Sequence, residues 1–159
     1  MRTSFPCPSP DQPALPAVDA IVVGASAGGV EALLKIFRTL PKGYRLPIVA
    51  VLHVPDQRRS HLAEVFAMSV AMPVKEADDK ETIAPGTLYF AAPGSGASSD
   101  GARGTAKIKE YGGLTVVQDP AQALVRTMPE AALALHTPDF LLPLPDIGSL
   151  LVELERIAC

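Results

Sequence analysis

From Asp19 onward the apolar positions alternate between short continuous runs and helically spaced stripes. Ala20-Ile21-Val22-Val23 is β-branched and uninterrupted, and Gly24-Ala25-Ser26-Ala27-Gly28-Gly29 follows at once. Val30, Leu33, Leu34, Phe37 and Leu40 then recur every three or four residues, the spacing of one helix face, and Pro41 and Gly43 close that helix. Pro47 to Leu52 is a second continuous run ending at His53, as expected of a strand buried on both faces. Leu62, Val65, Phe66 and Val70 predict a helix over about 59–70. This β-α-β-α order predicts an α/β fold with a mostly parallel sheet flanked by helices. Further along, the pattern predicts strands at 73–77, 87–91 and 114–118, and helices at 106–111, 129–135 and 147–157. Pro85-Gly86 marks a turn, Gly112-Gly113 a helix cap, and residues 94–104 a loop rich in Gly, Ser and Ala.

The 159 residues favour one domain, with 48% apolar residues available for a core. Residues 1–17 carry five prolines without periodicity and are expected to form a poorly ordered tail before a domain spanning 18–159. The net charge of −3 offers no basic field for nucleic acid. No apolar run approaches the roughly 18–20 residues that span a bilayer, and the first residues lack a signal-peptide core. Cys7 and Cys159 form no disulfide framework, and no metal-ligand spacing or cofactor is indicated. A cytoplasmic protein is expected.

Ligands of open α/β sheets bind beyond the carboxyl ends of the strands. Ser26 follows the first strand, His53 ends the second, and Asp100 lies in the glycine-rich loop. A serine nucleophile needs a base to take its proton and a carboxylate to orient that base. Gly28 and Gly29 would let a substrate approach the turn, and the backbone N–H groups that open the helix, beginning with Ala27, would face a developing oxyanion. Each residue also has a plainer reading: Ser26 as a helix N-cap, His53 as a solvated or core histidine, Asp100 as a turn former. His61 and His136 are expected on the surface. Arg58 and Arg59, just past His53, would be solvated or would attract an acidic substrate surface. A dinucleotide-binding reading of Gly24-x-x-x-Gly28 is weakened by His53, where a ribose-binding acid is needed. No Tyr-x-x-x-Lys pair is present either.

The segment Val23 to Leu33 resembles the nucleophile segment of the chemotaxis protein-glutamate methylesterases (CheB). Similar to that family's pattern are also Pro47 to Pro55, Glu76 to Asp79, Pro85 to Gly94, Asp100 to Gly104, Gly112-Gly113, Gln118-Asp119, Met128 to Ala132 and Leu141 to Leu144. The resemblance implies hydrolysis of glutamyl methyl esters, and deamidation of glutamines, on the cytoplasmic helical region of methyl-accepting chemotaxis receptors. It makes Ser26 the nucleophile, His53 the base and then acid, Asp100 the orienting carboxylate, and Ala97 N–H an oxyanion donor. It also implies two departures. The proline-rich start is too short for the receiver domain usual in the family, so control would come from a partner or from expression level. Between Gly94 and Ser98 a longer stretch is missing, including the strand that leads into the aspartate loop. Two arrangements follow. Either the 88–91 strand fills the vacated slot and delivers Asp100, or it holds its place and Asp100 lies away from His53. The corresponding functions are an active serine esterase, or an impaired homologue acting as a receptor- or partner-binding module.

Overall fold

In the computed structural model, residues 14–26, 28–53, 61–91 and 98–158 are described. The chain opens as expected: β1 (Ile21–Ser26), α1 (Gly29–Phe37), β2 (Ile48–His53) and α2 (Leu62–Ala67) follow one another. Helix α2 is shorter than its apolar stripe, because the Met68 and Ser69 N–H groups close it in a turn on Glu64 and Phe66 carbonyls. Strands β3 (Val74–Glu76) and β4 (Leu88–Phe90) come next, joined through a turn in which Gly86 takes φ +67° and donates its N–H to Arg45 O at 2.7 Å. Helix α3 (Ser98–Glu110), β5 (Val116–Gln118), α4 (Thr127–Leu135), β6 (Phe140–Leu142) and α5 (Leu144–Ala158) complete the order.

Among the described residues every strand pairing is parallel, divided between a four-stranded sheet of order β1-β2-β4-β3 and a separate β5-β6 pair. Strand β4 lies between β2 and β3 and does not reach β1. Among the described residues, no strand pairs with the outer edge of β1. Ile21 N–H donates to Pro47 O at 2.9 Å, so Val22, Gly24 and Ser26, on alternate positions, turn their backbone groups to that open edge. Val22, on this edge strand, is 58% exposed.

Ile48, Ala50, Leu88 and Phe90 point to one face, where they meet Leu33, Ile36 and Phe37 of α1, Phe66 of α2 and Leu150, Leu151 and Leu154 of α5. Phe66 packs edge-on against Phe37 and Phe90, at centroid distances of 6.1 and 4.8 Å. The Tyr44 hydroxyl donates to Leu151 O at 2.9 Å and ties the segment after α1 to α5. Leu15, within the stretch expected as tail, packs half-buried against this core; residues 1–13 lie outside the described residues.

Two local expectations are corrected. Residues 98–104 form the first half of α3 rather than a loop, since Ala102, 2% exposed, packs with Val117 and Ala132, and this burial overrides the weak helix preference of Ser and Gly. His136 is half-buried rather than on the surface. Its Nε2 lies 3.1 Å from Thr105 Oγ1, whose hydroxyl already donates to Ala102 O, so the imidazole donates at Nε2. His61 is exposed beside Glu64, as expected. The cap after α3 also forms: Gly112 takes φ +80° and Gly113 N–H donates to Ile108 O at 2.8 Å.

Candidate active site

Ser26 and His53 are register partners at the carboxyl ends of β1 and β2. Partnered residues of parallel strands send their side chains to the same face, and neighbouring strands run about 4.8 Å apart. Ser26 is half-buried and His53 exposed. Ser26 is not the cap of α1; that position is held by Gly28, without a side-chain cap bond. The hydroxyl is therefore not committed to the helix it precedes.

The turn after Ser26 is built by close approach. A Cβ at Gly29 would come within 2.6 Å of Ala25 Cβ, and one at Gly28 within 3.1 Å of Val125 Cγ2. The side chain at Gly29 must be absent for α1 to start so near β1. The first N–H groups of α1 then point back toward the strand end, where they can meet negative charge.

Asp100 stands in the first turn of α3, and its side chain lies outside the described residues. Its neighbour Gly101 has Cα 3.5 Å from where a Gly24 Cβ would sit. Gly24 and Ser26 share a face of β1, so the start of α3 rests on the face that carries Ser26 and His53. Ala27, Arg58, Arg59 and Ala97 lie outside the described residues. Sequence reasoning gave no role to Val125 and Met128, which contact the turn and the strand; the only signal was the Met-Pro-Glu-Ala-Ala block containing Met128. Among the described residues no group of three or more His, Cys, Asp or Glu side chains could hold a metal ion. No helix among them is long and apolar enough to cross a membrane.

A serine and a histidine at neighbouring strand ends, with a glycine turn directly after the serine, are the layout of a hydrolase-type α/β domain. The CheB methylesterase family model matches this chain in two stretches, residues 21–95 and 94–151. The chain belongs to that family, the protein-glutamate methylesterases. A Leptospira interrogans protein, provisionally described as a protein-glutamate methylesterase/protein-glutamine glutaminase, is 31% identical over 184 residues, covering 87% of this chain and 95% of that protein. Protein-glutamate methylesterase FrzG of Myxococcus xanthus is 27% identical, with 87% of this chain matching 55% of its length. The crystal structure of the Thermotoga maritima CheB methylesterase catalytic domain superposes with a TM-score of 0.76 at 26% identity, over 88% of this chain and 100% of that one. These likenesses do not favour the binding-module alternative.

Proposed function

We propose that this chain is a cytoplasmic serine esterase that hydrolyses glutamyl methyl esters, and deamidates glutamines, on the helical cytoplasmic region of chemotaxis receptors. The reading rests on the register that sets Ser26 beside His53. In this reaction Ser26 Oγ attacks the ester carbonyl carbon while His53 takes its proton. The oxyanion of the tetrahedral intermediate accepts from the Ala27 and Ala97 N–H groups. His53 returns the proton to the departing methoxide, and methanol leaves. Water, activated by the same imidazole, then opens the acyl-enzyme and frees the glutamate carboxylate and Ser26. With a glutamine substrate the leaving group is ammonia and the later steps are unchanged. Strand β4 keeps its place between β2 and β3, the arrangement expected to hold Asp100 away from His53; against that expectation Asp100 is given the role of orienting and stabilising the imidazolium, because the start of α3 rests on the same face of β1. Gly28 and Gly29 leave room for the substrate backbone, and Arg58 and Arg59 attract the acidic receptor surface.

The catalytic domain spans 18–159 and lacks a segment around 94–98 that its relatives carry. The family match breaks at 94–95, and the Leptospira alignment runs over 184 residues although this chain has 159. The open edge of β1 is the place where the missing strand would pair.

Release of methanol from methylated receptor membranes tests the activity. The wild-type chain is expected to release it and Ser26→Ala to fall to background; equal release from both would remove the claim.

A further inference from the structure

The block Met128 to Ala132 has no part in the chemistry above, yet Met128 reaches both segments that the chemistry uses. Its Cε lies 3.1 Å from the position of a Gly24 Cβ, and a Cβ at Gly101 would overlap the same methyl group. Gly24 is two residues before Ser26 on β1, and Gly101 directly follows Asp100 in α3. The half-buried thioether thus ends in a slot made by two residues without side chains. Pro129 sits beside it in the first turn of α4, where a missing N–H leaves no helical bond unmade. Behind the slot, Ala102, Val117 and Ala132 close the junction of α3, β5 and α4.

We propose that Met128 is a positioning residue: its ε-methyl is the spacer that sets the distance between the strand carrying Ser26 and the turn carrying Asp100. This rests on the esterase reading for its consequence, though not for its geometry. An unbranched methionine suits the role because its terminal methyl reaches past Cγ into a gap that branched side chains cannot enter. A Cβ at Gly101 would take the space of the methyl, and one at Gly24 would press on it by a few tenths of an ångström. Shortening Met128 would let α3 settle toward β1 and carry Asp100 with it. A shift of about 1 Å in a catalytic constellation can lower turnover about 10²-fold.

The full-length chain with methyl-¹³C methionine is the material for the test. The signal that disappears in Met128→Leu is expected to show nuclear Overhauser contacts to the α-protons of both Gly24 and Gly101; contact to neither, or to only one, overturns the spacer. In Met128→Ala the amide signals of Ser26 and Asp100 are expected to shift, and in Met128→Leu as well, because a side chain branched at Cγ does not enter the gap. Unmoved signals in the alanine variant also overturn it. On methylated receptor membranes Met128→Ala should lower kcat about 10²-fold with KM unchanged, and Gly101→Ala should do the same by expelling the methyl. Gly101→Ala combined with Met128→Ala should recover turnover above Gly101→Ala alone, because the new Cβ occupies the vacated slot. Folded Met128→Ala with full kcat refutes the positioning role. A wild-type chain that releases no methanol counts against the esterase reading, while the nuclear Overhauser contacts and amide shifts still decide where Met128 sits.

Discussion

Ser26 and His53 are paired across adjacent parallel strands at their carboxyl ends, so one register fixes both residues on one face. A one-residue slip of β2 would send the imidazole to the opposite face. The buried positions Ile48 and Ala50 hold that register, because the same slip would expose them. His53→Gln keeps the strand and removes the base. Methanol release is expected to fall by about 10⁶-fold, as when the histidine of a serine triad is removed. Because His53 is exposed, the thermal midpoint should stay close to that of the wild type. A His53→Gln chain that keeps full activity would show that another group takes the serine proton.

The face opposite the site is organised by Phe66, which is 0% exposed and touches Phe37 and Phe90 edge-on. Phe66→Ala leaves a cavity where α1, α2 and the sheet meet, and should cost about 3–5 kcal/mol. Urea titration would measure it as a lower midpoint with an unchanged slope.

Tyr44 closes the other side of that core, donating to Leu151 O from a buried hydroxyl. Tyr44→Phe should cost about 0.5–1.5 kcal/mol. Burial, with the Glu155 charge second, pushes the Tyr44 hydroxyl well above its usual range. Above pH about 10 an unfolded tyrosine ionises while this one keeps its proton. The folded state then binds more protons than the unfolded one, and its stability falls as pH rises. Between pH 9 and 11 the wild type should lose stability faster than Tyr44→Phe; parallel losses would refute the assignment.

The front half of the fold was legible because its signals are local and agree with one another. An apolar run, a glycine turn and a stripe of period 3.6 lead through β1 to α1, and Gly112 marks the end of α3. What escaped was decided by packing. Ser98 to Gly104 has loop composition and becomes helical because α4 and β5 bury Ala102. Strand β6 is three residues long and not fully buried, too short for a period of two to register. Of the site, Ser26 and His53 could be placed from their strand ends. Met128 could not, since its role depends on two glycines distant in sequence.

The open edge of β1 leads to a prediction about the segment proposed to be missing around 94–98. Val22 and Gly24 are exposed, and their backbone groups face outward with no neighbouring strand among the described residues. Inserting between Gly94 and Ser98 the residues that the Leptospira relative carries there should supply that strand. Hydrogen exchange at the Val22 and Gly24 amides should slow, and each 1 kcal/mol gained should raise the midpoint by about 2–4 °C. Unchanged exchange at both amides would mean that the inserted strand pairs elsewhere.

Asp139 joins β5 to β6 from outside their ladder. Its carboxylate accepts from Thr115 N–H at 2.8 Å and Thr115 Oγ1 at 2.9 Å, and pairs with the Lys109 ammonium. Thr115 is buried, so Asp139→Ala leaves its N–H and hydroxyl without this acceptor and should cost about 1–3 kcal/mol. The bond from Lys109 foremost, opposed by partial burial and aided by those from Thr115, holds the carboxyl below its usual range. At neutral pH both the folded and unfolded states are ionised there, and the stabilisation is fully present. As pH falls below about 4 the unfolded carboxyl takes up its proton first. The unfolded state then binds more protons, and the contribution declines with acidity. The stability difference between wild type and Asp139→Asn, measured by urea unfolding, should be largest at pH 6–7 and narrow steadily below pH 4. A difference independent of pH would mean that the shape of the side chain, and not its charge, holds the two strands.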